Sequence, residues 1–272
     1  MIDILDKVIW AEDKRIEIAE QRKLIPKFLA HTGISILDNC LEGFRKGWLV
    51  VVSGPPKAGK TSLCQTFTKR FVGDNLKCLW FSYELSLEEL FDKFPMEKLN
   101  FYVPNYMKSG NLEWIEQKII EAKKNFNTDI VFIDNLDFLR DPDDLRKVNL
   151  NLASYVGGIV QRLKSIAVNQ NIVIFLMAHI RKNEWTSKDL PASEELRDSG
   201  QVAQLADIVL MIMRRRAKRD LNSEEIYEGN RAVMGIIENR HNGKTKKIPL
   251  VFQEKEFVEE YGFIETKKQS VW

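Results

Sequence analysis

The sequence predicts an α/β fold: a mostly parallel, twisted sheet with helices on both faces and an antiparallel edge towards the C-terminus. Three observations predict it. Apolar runs of strand length, WLVVVSG (48–54), CLWFSY (78–83), DIVFIDNL (129–136) and NIVIFLMAH (171–179), lack polar alternation, as strands covered on both faces do. Segments of helical length separate these runs, which suits parallel strands joined by crossovers. Three later runs, ADIVLMIM (206–213), AVMGIIEN (232–239) and KIPLVF (247–252), follow one another without helices between them.

Taken in order, residues 2–24 are highly charged and read as a helix. Ile2, Leu5 and Ile9 form a stripe that Ile16 and Ala19 continue, and Pro26 closes the segment. This helix either packs on its own domain or reaches a neighbouring subunit. From Thr32 the chain changes character, and GISILDNCLEGF leads through Gly47 to the first strand. A helix follows over about 59–72. SLEELFDKF (86–94) reads as a helix with Ser86 as N-cap and Glu89 in the capping-box position. NFYVPN (100–105) reads as a short strand, and 111–126 as an amphipathic helix. The polar loop RDPDDLRK precedes a helix near 148–169, where Ile159, Val160, Leu163, Ile166 and Ala167 share one face. No internal repeat is visible. The division is a helical arm at 1–30, one domain at 31–258 and a charged tail at 259–272.

Composition narrows the class. Apolar residues make up 44% of the 272, enough for a sizeable core, and no long polar tract suggests global disorder. No apolar run approaches the ~20 residues of a membrane span. The N-terminus, MIDILDKVIWAEDKR, has early acids and no signal-peptide core. Cys40, Cys64 and Cys78 form no C-x-x-C pair, which points to a reduced, intracellular protein without a disulfide framework or zinc site. Net charge is +2, from 41 basic and 39 acidic residues, so any nucleic-acid binding must come from local clusters.

One motif decides the chemistry. GPPKAGKT (54–61) is a complete G-x-x-x-x-G-K-[ST] phosphate-binding loop that ends a strand and opens a helix. Gly54 and Gly59 permit the tight turn whose N–H groups face phosphates, and the helix N-terminus adds its positive dipole end. Lys60 is placed for the β- and γ-phosphates of ATP, and the Thr61 hydroxyl for Mg2+. Lys57 adds positive charge; Ala58 and Ser62 complete the loop and first helical turn. Asp134, at the end of the strand DIVFID, is positioned to join Thr61 at the metal. Glu84, after the strand CLWFSY, is the candidate for orienting or deprotonating water. Its rivals Glu88 and Glu89 lie on the following helix. His179 ends another strand, where it can donate to the γ-phosphate or serve structure alone.

Several segments also carry a resemblance. TGISILDNCLEGFRKGWLVVVSGPPKAGKTSL resembles the opening of RecA-like ATPases of the RadA, KaiC and DnaB kind. FSYELSLEEL, VQRLKSIAVNQNIVIFLMAHIRK, ELRDSGQVAQLADIVLMI and IIENRHNGKTKKIPLVF are similar, in the same order, to segments of DnaB-type hexameric replicative helicases. The resemblance covers most of 32–252. It implies a RecA-like fold, ATP and Mg2+ as cofactors, sites between subunits of a homohexamer, and movement along single-stranded DNA during replication. It makes Lys60, Thr61 and Asp134 the phosphate and metal residues, Glu84 the catalytic carboxylate and His179 the γ-phosphate sensor. Bacterial members carry Gln at that sensor; phage and mitochondrial Twinkle-type members carry His. Arg240 matches the arginine finger supplied by a neighbour.

Three departures stand out. Glu238 occupies the place of a family Lys two residues before the finger, and its side chain can instead turn to Lys244 or Lys246. PPKA replaces the usual loop interior RPSM. The family's N-terminal primase-interacting domain has no counterpart in these residues, and 1–30 offer at most a linker helix.

The resemblance also implies DNA-facing loops. Arg181, Lys182, Trp185 and Lys188 follow His179, while Arg140, Arg146 and Lys147 follow Asp134. The cluster RRRAKR (214–219) is more basic but reads as following an outer strand, a solvated face. The implied activity is an ATP-driven ring helicase or translocase, with primase or other replication proteins as partners and no membrane. The alternatives are a RadA- or KaiC-like recombinase or regulator, or a helicase-loading accessory ATPase. The implied location is the cytoplasm, including a host's cytoplasm for a virus-encoded protein.

Overall fold

Eight strands form one sheet in a computed structural model that describes residues 8–24, 29–94, 97–98, 100–141, 152–179, 200–218 and 226–260. The strands are β1 (Leu49–Gly54), β2 (Cys78–Ser82), β3 (Ile130–Asp134), β4 (Val173–His179), β5 (Ile208–Lys218), β6 (Ile226–Asn239), β7 (Lys246–Gln253) and β8 (Glu256–Glu259). Their spatial order is β2-β3-β4-β1-β5-β6-β7-β8. The first five positions run parallel, and β6, β7 and β8 add antiparallel pairings. The helices are α1 (Ala11–Leu24), α2 (Ser35–Leu41), α3 (Lys60–Gly73), α4 (Leu87–Lys93), α5 (Leu112–Phe126), α6 (Leu152–Asn169) and α7 (Gly200–Leu205).

Strand alternation divides the core in two. Val50 and Val52 face a cluster with Phe67, Phe71, Trp80, Phe132 and Phe175. Leu49 and Val51 face the other side, with Ile115, Ile119, Val160 and Leu163. The residues are buried on both faces, which is why the parallel strands read as unbroken apolar runs. Across β2, β3 and β4, Trp80 stacks on Phe132 at 4.6 Å and Phe132 on Phe175 at 4.9 Å. Trp80 Nε1 also finds a partner, donating to Thr68 Oγ1 at 3.0 Å.

Most expected elements form close to their anticipated bounds, and the Ser86–Glu89 capping box closes as expected. Residues 100–105 do not form a strand. Only Tyr102 bridges to Leu79, at the outer edge of β2, because Pro104 has no N–H to continue a ladder. The basic run at 214–218 belongs to β5 itself, and β5 lies between β1 and β6 rather than at an outer edge. Helix α2 and strand β8 were not anticipated. Asp38 organises the entry to α2, accepting from Thr32 N, Thr32 Oγ1 and Gly33 N at 2.8–3.0 Å. The β7–β8 hairpin turns through Glu254 and Lys255, both at positive φ, without the usual Asn or Gly signal. Helix α1 starts at Ala11 rather than at residue 2, so Ile9 lies before it, and Ile2 and Leu5 lie outside the described residues. Ile16 is 48% exposed and Ile9 and Ala19 are exposed as well, so these three are not buried on described residues of their own domain.

Candidate active site

Register brings the chemistry to one sheet edge. Gly54 pairs with His179, and Ser82 pairs with Asp134, so β1, β2, β3 and β4 all end together. Strand β1 is followed in sequence by β2, three positions away, which opens a crevice at the carboxyl ends where ligands bind in such sheets.

The loop 55–59 rises from this edge. Gly54 has φ 149°, and a Cβ there would lie 2.3 Å from Ile212 O. Gly59 has φ 100°, and its Cβ would lie 2.8 Å from Phe257 Cζ. No side chain fits at either position. Gly59 is the N-cap of α3 and supplies no side-chain cap, so the first-turn N–H groups are left for an external acceptor. Ala58 is buried, Lys57 is exposed at φ 63°, and Ser62 is half-buried.

Lys60 opens α3 and is only 5% exposed. Its ammonium donates to Gly54 O and Pro55 O, each at 3.0 Å, and lies 3.0 Å from His179 Nδ1. Burial lowers its pKa, against the opposing pull of Glu84 and Asp134. Thr61 Oγ1 donates to Asp134 Oδ2 at 2.7 Å. Asp134 is fully buried and its Oδ1 has no hydrogen-bond partner. Burial pushes its carboxyl up to about 6, despite the hydrogen bond from Thr61. A hydroxyl beside a buried carboxylate with an orphaned oxygen fits Mg2+, which takes few protein ligands and completes its shell with phosphate and water.

Glu84 and His179 meet through a residue the sequence did not single out. Asn135 Nδ2 lies 3.0 Å from Glu84 Oε2 and 3.1 Å from His179 Nε2. The direct Glu84–His179 separation is 3.9 Å. Glu84 is 45% exposed, accessible to water. Its rivals are otherwise placed: Glu89 is taken up by the capping box, and Glu88 is exposed on α4. Burial, and then the Lys60 charge, lower the His179 pKa. The only sequence signal for Asn135 was its position directly after a strand-end Asp.

Arg214 does not stand on the solvated face that its place in the basic run suggests: its guanidinium lies 5.3 Å from the Phe252 ring centre and beside Gly59. Its Nε is buried without a partner. It is placed there because β5 is the immediate neighbour of β1.

Arg240 sits elsewhere. Its N–H donates to Asp207 O at 2.9 Å, and Asp207 Oδ2 accepts from Leu49 N at 2.7 Å. This is the beginning of β1, whereas the phosphate loop leaves its end, about 17 Å away at ~3.3 Å per residue. Arg240 is exposed. Lys244 lies 3.6 Å from Glu42, and among the described residues no ion pair joins Glu238 to Lys244 or Lys246. Arg140 pairs with Asp137 at 2.6 Å. The other DNA candidates, Arg146, Lys147, Arg181, Lys182, Trp185 and Lys188, lie outside the described residues. No helix among the described residues is long and apolar enough to cross a membrane.

Residues 30–125 and 95–259 match the family described as DnaB-like helicase C terminal domain. The replicative DNA helicase DnaB of Mycoplasma pneumoniae is 27% identical over 285 positions, covering 91% of this chain and 60% of the relative. That of Helicobacter pylori strain 26695 is 26% identical over 216 positions, covering 67% and 43%. The chain thus spans 60% or less of these relatives' length. Among solved structures, one ATPase domain superposes with a TM-score of 0.73 at 19% identity, over 93% of this chain and all of that one. A DnaB-like replicative helicase, solved to show its interactions with primase, gives 0.68 at 20%, over 93% and 67%. At such identities the superpositions speak for the fold alone.

Proposed function

Because this chain belongs to the DnaB-like helicase C-terminal domain family, we propose that it is the ATP-hydrolysing motor of a homohexameric ring that moves along single-stranded DNA and unwinds duplex during replication. The observation that carries this reading is the placement of Arg240 and the phosphate loop at opposite ends of β1. One chain cannot fold its own finger onto its own loop. A head-to-tail contact between copies brings the two together, and such contacts close into rings when the rotation permits.

Each residue then has a task. The α3 N–H groups and Lys60 take the phosphate oxygens, with Lys60 exchanging its carbonyl partners for them. Arg214, beside Gly59, adds a second cation at the loop. Thr61 and Asp134 would hold Mg2+, which supplies charge neutralisation at the phosphates when bound. Glu84 orients the attacking water and accepts its proton. His179 donates towards the terminal phosphate. Arg240 of the neighbour stabilises charge on the transferring phosphoryl, a contribution of ~10³–10⁵ in rate where such fingers act. Arg181, Lys182, Lys188, Arg146 and Lys147 supply the cations for the DNA backbone. Primase is a partner by the same family reading.

The test is a strand-displacement assay on a forked substrate with ATP, run beside ATP hydrolysis with and without single-stranded DNA. Unwinding and DNA-stimulated turnover that fall with rising salt are expected. ATP hydrolysis indifferent to DNA would point to a regulatory ATPase instead.

A further inference from the structure

The hydrogen-bond inventory around His179 does not close on itself. Lys60 Nζ faces Nδ1 at 3.0 Å, and Asn135 Nδ2 faces Nε2 at 3.1 Å. Both neighbours are donors. A neutral imidazole has one acceptor nitrogen and one N–H, so it satisfies only one of them. Its environment keeps it neutral, since burial and the Lys60 ammonium both disfavour the imidazolium.

Asn135 has no freedom to give way. It is 2% exposed, and its Oδ1 accepts from Asp137 N at 2.9 Å. That bond fixes the amide with Nδ2 towards both Glu84 Oε2 and His179 Nε2. Turning the amide over would set its oxygen against the Glu84 carboxylate and lose the bond from Asp137. With Nε2 accepting from the Asn135 amide, Nδ1 carries the proton. The Nδ1–H then points at an N–H of Lys60, which already has two carbonyl acceptors. Two donors only 3.0 Å apart are matched together by one anionic oxygen that accepts from both from the side, at the apex of a triangle with the two nitrogens.

We propose that Asn135 is a positioning residue: its amide holds the Glu84 carboxylate and fixes His179 as the Nδ1–H tautomer, so that both Lys60 and His179 present protons to one terminal phosphate oxygen. This rests on the ATPase reading of the site and deepens it, because it assigns which proton His179 offers and what orients it. Glu84 and His179 come from different strands, and Asn135 is the group that ties their separation to the end of β3.

Two measurements test it. Imidazole 15N spectra of the nucleotide-free protein report the tautomer. The chain has three histidines, so loss of a signal set in His179→Gln assigns the ring. A protonated Nδ1 and unprotonated Nε2 are expected. In Asn135→Asp, of nearly the same size, the new carboxylate draws a proton to Nε2 and repels Glu84. The ring signals should then reverse or show both nitrogens protonated, and ATP turnover should fall about 10²-fold with ATP affinity within about threefold. In a His179→Gln background, where an amide can turn either edge, the further loss from Asn135→Asp should be smaller. A native ring protonated at Nε2 would overturn the proposal, as would unchanged ring signals and turnover in Asn135→Asp. If Asn135→Asp fails to fold, the native spectrum still decides the tautomer. Native protein that does not hydrolyse ATP would refute the proposed function, while the spectra judge Asn135 separately.

Discussion

The Thr61 hydroxyl donates to Asp134 Oδ2 at 2.7 Å, joining the first turn of α3 to the end of β3, while the second oxygen of the same carboxylate is buried with nothing to accept from. An unsatisfied buried polar group costs on the order of 1–3 kcal/mol, and more when it carries a charge. Asp134→Asn keeps the shape and the bond from Thr61 and removes the charge. The variant should melt higher than the native protein without nucleotide and Mg2+ at pH 7.5, yet lose ATP hydrolysis. A lower melting temperature would show that the carboxylate is better satisfied than the geometry indicates.

The second prediction concerns pH. The His179 pKa is lowered from 6.5 by burial and by Lys60. Unfolded, the ring takes up a proton as pH falls through 6.5; folded, it resists until a lower pH. Its contribution to stability is therefore complete above 6.5 and is lost as pH falls through the lowered value. Denaturant unfolding at pH 7.5 and pH 5.5 should show a smaller difference in His179→Gln than in the native protein. An equal difference would assign the acid sensitivity to other groups.

The third separates the carboxylates. Glu84→Gln should bind ATP normally and hydrolyse it at least ~10²-fold more slowly. Glu89→Gln should leave turnover near native, because its side chain closes the capping box of α4. Nucleotide binding by fluorescence and phosphate release by single-turnover assay give the two readings. Normal turnover in Glu84→Gln would move the water-orienting role to another group.

The fourth uses mixtures. Lys60→Ala disables the loop and spares the finger, and Arg240→Ala does the reverse. Each alone should be inactive. Mixed rings contain interfaces where an intact loop meets an intact finger, so turnover should return after subunit exchange. Exchange shown by fluorescence transfer, with no recovery of turnover, would refute a site shared between copies.

Much of the fold could be read directly. WLVVVSG, DIVFIDNL and NIVIFLMAH announced strands covered on both faces, and all three are central in the sheet. The loop 54–61 and the capping box at Ser86 were equally legible, because the groups that make them are neighbours along the chain. The expected meeting of Lys60, Thr61, Asp134, Glu84 and His179 followed from one rule, that each sits at or just beyond the carboxyl end of a parallel strand or at the loop that leaves one. The β7–β8 hairpin is not legible in the sequence because its turn lacks the residues that usually supply positive φ.

By itself the sequence determined the fold class, the phosphate loop and the family. Those rest on contiguous apolar runs and spaced motifs, whose chemistry is local. Only the tertiary structure decided that Asn135 bridges Glu84 to His179, that Arg214 stands beside the loop, and that Arg240 lies at the far end of β1 from it. These are relations across the sheet. They depend on which strands pair and in what register, and a strand's own residues state its period and burial but not the identity of the strand beside it.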